Sequence, residues 1–301
     1  MSYSALELIQ QVADELALQR PTLVIGSTDP NIRQLSALLN RLGADITRQS
    51  EWQLMNNEYI IVTKSFELTG TTTAGSPIIT GISSTAQVTT DFTILGVGIE
   101  PFAQVKTVDN LTQVTMDMNA NESGTVTLTF SQNKFDMPSD WNWQINNTEW
   151  NRTDRWNLLG PKSPQEWQTY KSGIVSAGPR QRYRILQNQL NINPSPPDGQ
   201  ILSFEYISKG WIIGVDGTRK TKVSADTDTF VFSDSLLTVG LIAQWRQAKG
   251  LDPSFNIAEF RALLEGEKAT DKSAPVLSLS PNYGSVLLST NNFPDGNWPS
   301  N

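Results

Sequence analysis

Apolar residues recur at helical spacing in four stretches of the chain, each bounded by residues that start or stop helices. Leu236, Leu237, Gly240, Leu241 and Trp245 follow one another at intervals of one, three and four. Ser233 or Asp234 precedes them as an N-cap, and Gly250 follows as a C′ glycine, with Lys249 placed where a cation suits the negative end of the helix dipole. The face so defined must be buried against other helices, and the rest of the chain is organised around it. Near the N-terminus, Ser4 and Glu7 form a capping box ahead of Leu8, Ile9, Val12 and Leu16, predicting a helix over Ser4–Leu16. Asp29-Pro30 supplies an N-cap and a proline at the first helical position. Ile32, Leu35, Leu38, Leu39, Leu42 and Ile46 then carry a helix from Pro30 to Glu51, about 20 residues and roughly 30 Å long. Ile257, Phe260, Ala262, Leu263 and Leu264 predict a fourth helix from Ser254 to Lys268.

Between these helices the period changes from helical to alternating. Tyr59–Val62 begins a strand, and from Ser65 onward Thr, Gly and Val dominate; between Phe66 and Phe130 there is no Arg, no Trp, and Lys106 is the sole cation. Ser76–Ser84, Gln104–Val108 and Thr125–Phe130 read as short strands separated by Gly, Asn and Asp turns, the pattern of a small sandwich or barrel. Residues 65–130 therefore read as an insertion of about 65 residues in a loop of a host body, which closure entropy permits at small cost. Further on, Arg182–Leu186 and Leu190–Asn193 alternate about Asn188 as a hairpin closed by Pro194–Gly199. Ile201–Ser208 follows as a third strand with Leu202, Phe204 and Tyr206 on one side, and Asp216-Gly217 turns the chain. The fold class expected is α+β. A helical-bundle body with a β-rich part (1–64 and 131–269) carries an inserted all-β, sandwich- or barrel-like module (65–130) and an extended C-terminal arm (270–301).

Composition narrows the chemistry. The chain has 301 residues and a formal charge of −7, which disfavours a nucleic-acid reader working by phosphate neutralisation. It contains no cysteine and no histidine, so disulfides, thiolate metal sites and Ser-His-Asp, Cys-His or His-zinc chemistry are excluded. No secretory signal opens the chain, and no run of ~18 apolar residues predicts a membrane helix. Asp226 and Asp228 imitate the opening of a calcium loop, yet the glycine and glutamate that such a loop needs further on are missing; turn and cap chemistry is the expected role. Asp140, Glu149, Asp154 and Glu166 read as caps and surface groups. With no phosphate loop, dinucleotide fingerprint or nucleophile elbow, no enzyme activity, cofactor or metal is expected.

Two stretches are rich in groups that seek partners. Trp141, Trp143, Trp150, Trp156 and Trp167 crowd between Pro138 and Trp167, with Arg152 among them. Stacking platforms for sugars or single-stranded nucleic acid have this composition, and so do subunit interfaces, where Trp and Arg anchor. The last stretch, Thr270–Asn301, has four prolines and no lasting period. It nevertheless carries Val276, Leu277, Leu279, Tyr283, Val286, Leu287, Leu288, Phe293 and Trp298. Burying Leu287, Leu288, Phe293 and Trp298 offers roughly 1.5–3 kcal/mol each before ordering costs, as expected of an arm that folds onto a partner.

Several motifs stand in an order that resembles a known family. Arg20-Pro21-Thr22, Gly26–Pro30 and the helix ending at Glu51-Trp52 open it. Thr148–Arg152, Leu159-Gly160-Pro161 and Ser163–Trp167 continue it. Glu205–Lys209, Trp211, Asp216-Gly217, Ala225–Thr229 and the helix from Gly240 to Leu251 close it. Together they resemble the head-to-tail adaptor (tail tubular or tail accessory) proteins of short-tailed bacteriophages. Residues 65–130 depart from that pattern and are similar instead to a small β-module inserted in many phage structural proteins.

The resemblance implies a structural virion protein: a closed cyclic ring of twelve copies at the tail or neck, assembled in the bacterial host cytoplasm. The ring joins the portal protein to the tail nozzle protein, with tail fibres as further neighbours. Genomic DNA passes through its lumen without sequence-specific binding, and no membrane is involved. The nine apolar residues of the arm are then portal-interface candidates, and the five tryptophans with Arg152 are subunit-interface or packing candidates. The alternative is a tail-associated carbohydrate- or receptor-binding protein using the β-module or the tryptophan-rich loop.

Overall fold

The structure is a computed structural model and describes residues 3–172 and 180–272. Its helices are α1 (Ala5–Glu15), α2 (Pro30–Gln49), α3 (Pro164–Lys171), α4 (Asp234–Ala248) and α5 (Ser254–Lys272). The strands in chain order are β1 (Asn56–Val62), β2 (Ser65–Thr72), β3 (Ile78–Ile79), β4 (Phe92–Gly96), β5 (Val105–Asn110), β6 (Gln113–Met116), β7 (Gly124–Gln132), β8 (Lys134–Asp136) and β9 (Trp141–Gln144). There follow β10 (Trp150–Asn151), β11 (Trp156–Asn157), β12 (Arg182–Leu186), β13 (Gln189–Asn193), β14 (Ile201–Ser208), β15 (Ile212–Ile213), β16 (Arg219–Lys220) and β17 (Thr229–Phe230). The architecture is mixed α+β with several small antiparallel sheets, and no sheet among the described residues closes into a barrel. No helix among them is long and apolar enough to cross a membrane. The chain divides into two compact units: residues 3–57, 139–145 and 205–272 form the first; residues 58–138, 146–172 and 180–204 form the second.

The first unit is the helical one. Three of its four helices start as their caps require: Ser4 and Glu7 complete the capping box of α1, the Asp29 carboxylate accepts from the Asn31 N–H in the first turn of α2, and Ser233 caps α4. Asp234, the other candidate cap, accepts instead from the Tyr3 N–H. Helix α4 touches α1, α2 and α5, so the element with the most continuous apolar face is the one the others surround. Their shared core takes Leu8, Ile9 and Val12 from α1, Ile32, Leu35, Leu39 and Ile46 from α2, and Leu236, Leu237 and Leu241 from α4. The small sheet β16–β15–β17 closes it with Trp211, Ile212 and Phe230. Gly43 and Gly240 are close-approach positions: a Cβ at Gly43 would meet the Trp211 ring at 2.2 Å, and one at Gly240 would meet Phe260 at 2.8 Å. Helix α5 runs to Lys272, past the end at Lys268 that its apolar period predicts.

The second unit is β-rich. Two three-stranded sheets, β2–β7–β4 and β3–β6–β5, enclose a cluster of buried residues that includes Ile79, Phe92, Ile94, Val114, Met116, Leu128 and Phe130. The cluster draws, among the described residues, only on positions between Phe66 and Phe130. Ser65 pairs with Ser131 where β2 and β7 meet, their hydroxyls 2.6 Å apart, so the chain enters and leaves these sheets side by side. Ser76–Ser84 yields only the two-residue β3: Pro77 has no N–H for a ladder, and Gly81 at φ 69° turns the chain out of the extended path. The hairpin β12–β13 forms with Gln187 and Asn188 both at positive φ (50° and 63°), the conformation a two-residue primed turn demands.

One expectation from the alternating pattern is corrected here. Ile201–Ser208 is a strand, but it is not the hairpin's third strand; that place is taken by β8, with Leu190 opposite Phe135. Strand β14 pairs with β10 through Leu202 and Ser203 within the second unit, and with β9 through Tyr206, Ile207 and Ser208 within the first. Leu202, Phe204 and Tyr206 are covered on one face, while on the other Ser203 and Ile207 are covered and Ile201 and Glu205 stay exposed; alternation gives these faces but not the strand's neighbours in the sheet.

Candidate interaction site

The tryptophan-bearing stretch does not form one platform. Trp141 and Trp143 lie on β9 in the first unit, where Trp143 is 39 % exposed and Trp141 half-buried. In the second unit, Trp150 and Trp156 occupy the adjoining strands β10 and β11. Trp150 is opposite Asn157 and Trp156 opposite Asn151, so the two indoles project to opposite faces of the ribbon. Trp156 meets the Arg180 guanidinium 5.7 Å above its ring. Trp167 is buried on α3, held by the Ser163–Glu166 capping box, and serves packing. Arg152 is half exposed and pairs with Glu58 of the same unit. Exposed ion pairs of this kind contribute little to stability.

Polar residues between the tryptophans are placed by burial that their spacing did not announce. The Asn151 side-chain amide donates to Asp154 Oδ2 (3.1 Å), Gln181 Oε1 (3.2 Å) and Gln200 Oε1 (2.9 Å), while its carbonyl oxygen accepts the N–H groups of Thr153 and Asp154. Glu166 is the cap its spacing predicts. Asp140 and Glu149, expected as caps or surface groups, are instead buried. Asp140 accepts hydrogen bonds from Tyr206 Oη (2.9 Å) and Ser208 Oγ (2.6 Å) in the first unit. Glu149, 2 % exposed, lies beside the Tyr183 hydroxyl in the second; burial foremost, and then that carboxylate, push the Tyr183 pKa above its ordinary value. At Asp140 a phenol and an alcohol proton sit on one buried carboxylate.

The acidic run before α4 is a brace. Asp228, fully buried, accepts the N–H groups of Ser224 (2.8 Å) and Ala225 (2.9 Å) and pairs with Lys220 at 3.0 Å. The Asp226 carboxylate accepts from the N–H groups of Val24 and Ile25, and the carbonyls of Asp228 and Asp226 receive the first N–H groups of α1 from Ala5 and Leu6. Helix N-termini leave such donors unmatched, and this loop supplies their acceptors. Both aspartates thus do turn and cap work, and no metal-holding cluster of acidic side chains occurs among the described residues.

A groove that no motif signalled lies in the first unit alongside α5. It encloses about 1090 Å³ between one face of that helix, from Ala262 to Asp271, the Phe230–Ser235 stretch and the Gln53-Leu54 turn. Leu54 stands 50 % exposed on its wall. The carboxylates on its rim are engaged: Asp234 with the Tyr3 N–H, Glu267 with the Ser233 hydroxyl, and Asp271 with the N–H groups of Gln53 (2.7 Å) and Leu54 (3.0 Å). The portal-interface candidates Val276, Leu277, Leu279, Tyr283, Val286, Leu287, Leu288, Phe293 and Trp298 lie outside the described residues. No protein-family model matches the chain, and no curated protein matches it.

Proposed function

We propose that this chain is a structural virion protein of a short-tailed phage, forming a cyclic ring that joins the portal to the tail and lets genomic DNA pass. One observation carries the reading furthest. The family-like segments from both ends of the chain build a single helical unit around α4, with Asp226 and Asp228 of the acidic run bracing α1 and the loop ahead of α2. On this reading the work of the body is assembly. Many modest contacts repeated around a ring add up once the portal templates them, so no single surface on one subunit need be large. Exposed Trp143 and the half-exposed Arg152–Glu58 pair are suited to subunit contacts, and the net charge of −7 suits a lumen past which DNA must slide without adhering.

The test is electron microscopy of the protein mixed with the portal encoded beside it, comparing the full chain with one stopped after Lys272. Rings that cap the portal only when the arm is intact support both the adaptor and the docking role of the arm. Rings from both chains leave the adaptor standing and remove the arm from docking. The absence of rings under every condition overturns the reading. A tail-associated carbohydrate or receptor binder then takes its place. That second reading is favoured by the self-contained core between Phe66 and Phe130, and glycan-array binding by the full protein tests it.

A further inference from the structure

We infer that the groove beside α5 receives the α4–α5 corner of a second copy of this chain, with Leu251 and Phe255 entering it and Arg246 and Lys249 meeting its carboxylates. Such a contact is one interface of the ring proposed above and rests on that reading, yet it is tested without a portal. The groove's charge selects its occupant. Asp234, Glu267 and Asp271 line it, and among the described residues no lysine or arginine does. The hydrogen bonds that these carboxylates accept do not cancel their charge. An occupant that also covers Leu54 and Leu263 must therefore bring cations and apolar groups together.

The first unit carries that combination at the other end of the same helix pair. Where residues 249–253 join α4 to α5, Phe255 is 76 % exposed and Leu251 53 %. Arg246 lies in the last turn of α4, and Lys249 follows with its ammonium 5.2 Å above the Trp245 ring. Asp252, whose carboxylate accepts the Ser254 N–H, leaves residues 246–255 with a net charge of +1, against −3 for the groove. Aromatic anchors ringed by polar groups carry most of the energy of protein interfaces, and Phe255 has that setting.

The corner cannot fill the groove of its own chain. Helix α4 starts at the groove with Asp234 and Ser235 and ends at the corner, and its 15 residues hold the two about 22 Å apart at 1.5 Å per residue. Packing of α5 on α4, with Phe260 beside Gly240, fixes that separation. The occupant is therefore a neighbour's corner. One surface inserts and a different one receives, so the contact is head-to-tail. It leaves a free corner and a free groove on every pair, and closes a ring when the rotation between copies permits. Gly266 helps on the receiving side, since nothing described lies within 4 Å of the Cβ it lacks and an incoming side chain can approach the helix backbone.

Because the protein has no cysteine, disulfide trapping reads the contact without background. Full chains carrying Leu251→Cys and Gly266→Cys are mixed and oxidised, one of them tagged so that mixed and like pairs separate by size. Val215→Cys, on an exposed turn of the same unit, replaces Leu251→Cys as the collision control. The mixed product forms about tenfold faster or more than the control and than either like pair, because a disulfide needs matching Cα and Cβ geometry. In the Leu251→Cys chain, Phe255→Asp returns the rate to that of the control, and Lys249→Glu slows it at least about threefold at low salt. A chain carrying both cysteines gives a ladder of dimers, trimers and larger species. Rates equal to the control, a preference for like pairs, indifference to either substitution, or a doubly linked dimer with nothing larger each overturn the proposal. The adaptor reading fails separately: a ladder without portal rings leaves the contact standing, and portal rings formed without the trapped contact overturn the contact alone.

Discussion

Gly43→Ala is the sharpest probe of how the helical unit is held together, because two effects of opposite sign meet at one atom. On propensity alone the change favours α2, by about 1 kcal/mol. The structure opposes it: the new Cβ would lie 2.2, 2.3 and 2.4 Å from three carbons of the Trp211 indole. Carbon atoms in contact prefer about 3.5–4.0 Å, so the ring or the helix must yield by more than an ångström. Neither is free to do so. Trp211 is completely buried, its ring stacks on Phe230 at 5.5 Å, and its Nε1–H donates to the Thr221 carbonyl at 3.2 Å. Overpacking in such a core costs about 1–3 kcal/mol and sometimes more. With three overlapped atoms the upper end applies, leaving a net loss of about 2 kcal/mol, or roughly 4–8 °C in the Tm of a folding unit the size of the helical one. Urea and thermal unfolding followed by circular dichroism at 222 nm reads the helical unit directly. In a Trp211→Leu background the same substitution should lose most of its penalty, a coupling of about 1–3 kcal/mol. A neutral or stabilising Gly43→Ala, or a penalty unchanged by Trp211→Leu, refutes the reasoning.

Two further outcomes are expected. Burial works against the charge on Asp228, but the Ser224 N–H, the Lys220 ammonium and the Ala225 N–H outweigh it and hold the pKa below the usual aspartate value. With the folded value depressed below ~3.9, the contribution is complete above about pH 4 and is lost as pH falls through the folded pKa. Asp228→Asn should therefore cost about 3 kcal/mol at pH 7 and flatten the fall in urea midpoint as pH drops below about 4; an unchanged acid slope rejects the brace. Replacing residues 66–130 by a short Gly-Ser linker between Ser65 and Ser131, which already face each other, should leave the helical unit's unfolding transition within about 1 kcal/mol of the parent. Loss of that transition would show the β-module to be part of the body's own fold.

The chain's local chemistry determined a good deal by itself. Ser4 with Glu7, Asp29-Pro30, Ser163 with Glu166, Ser233 and Gly250 place helix ends wherever a side chain or a missing one satisfies its own helix, within a few residues of sequence. The hairpin about Gln187-Asn188 was legible for the same reason, and so were the turn and cap roles of Asp226 and Asp228. What tertiary structure alone decided involves partners far along the chain. Strand β14 found β9 and β10 rather than the neighbouring hairpin, because alternation along a strand states which face is covered and not which strand lies beside it. Asp140 and Glu149 went inside because Tyr206, Ser208 and Tyr183 meet them there, an arrangement that no spacing encodes. The groove over Gly266 is of the same kind. Its lining comes from three stretches of chain that become a surface only once α5 has packed against α4.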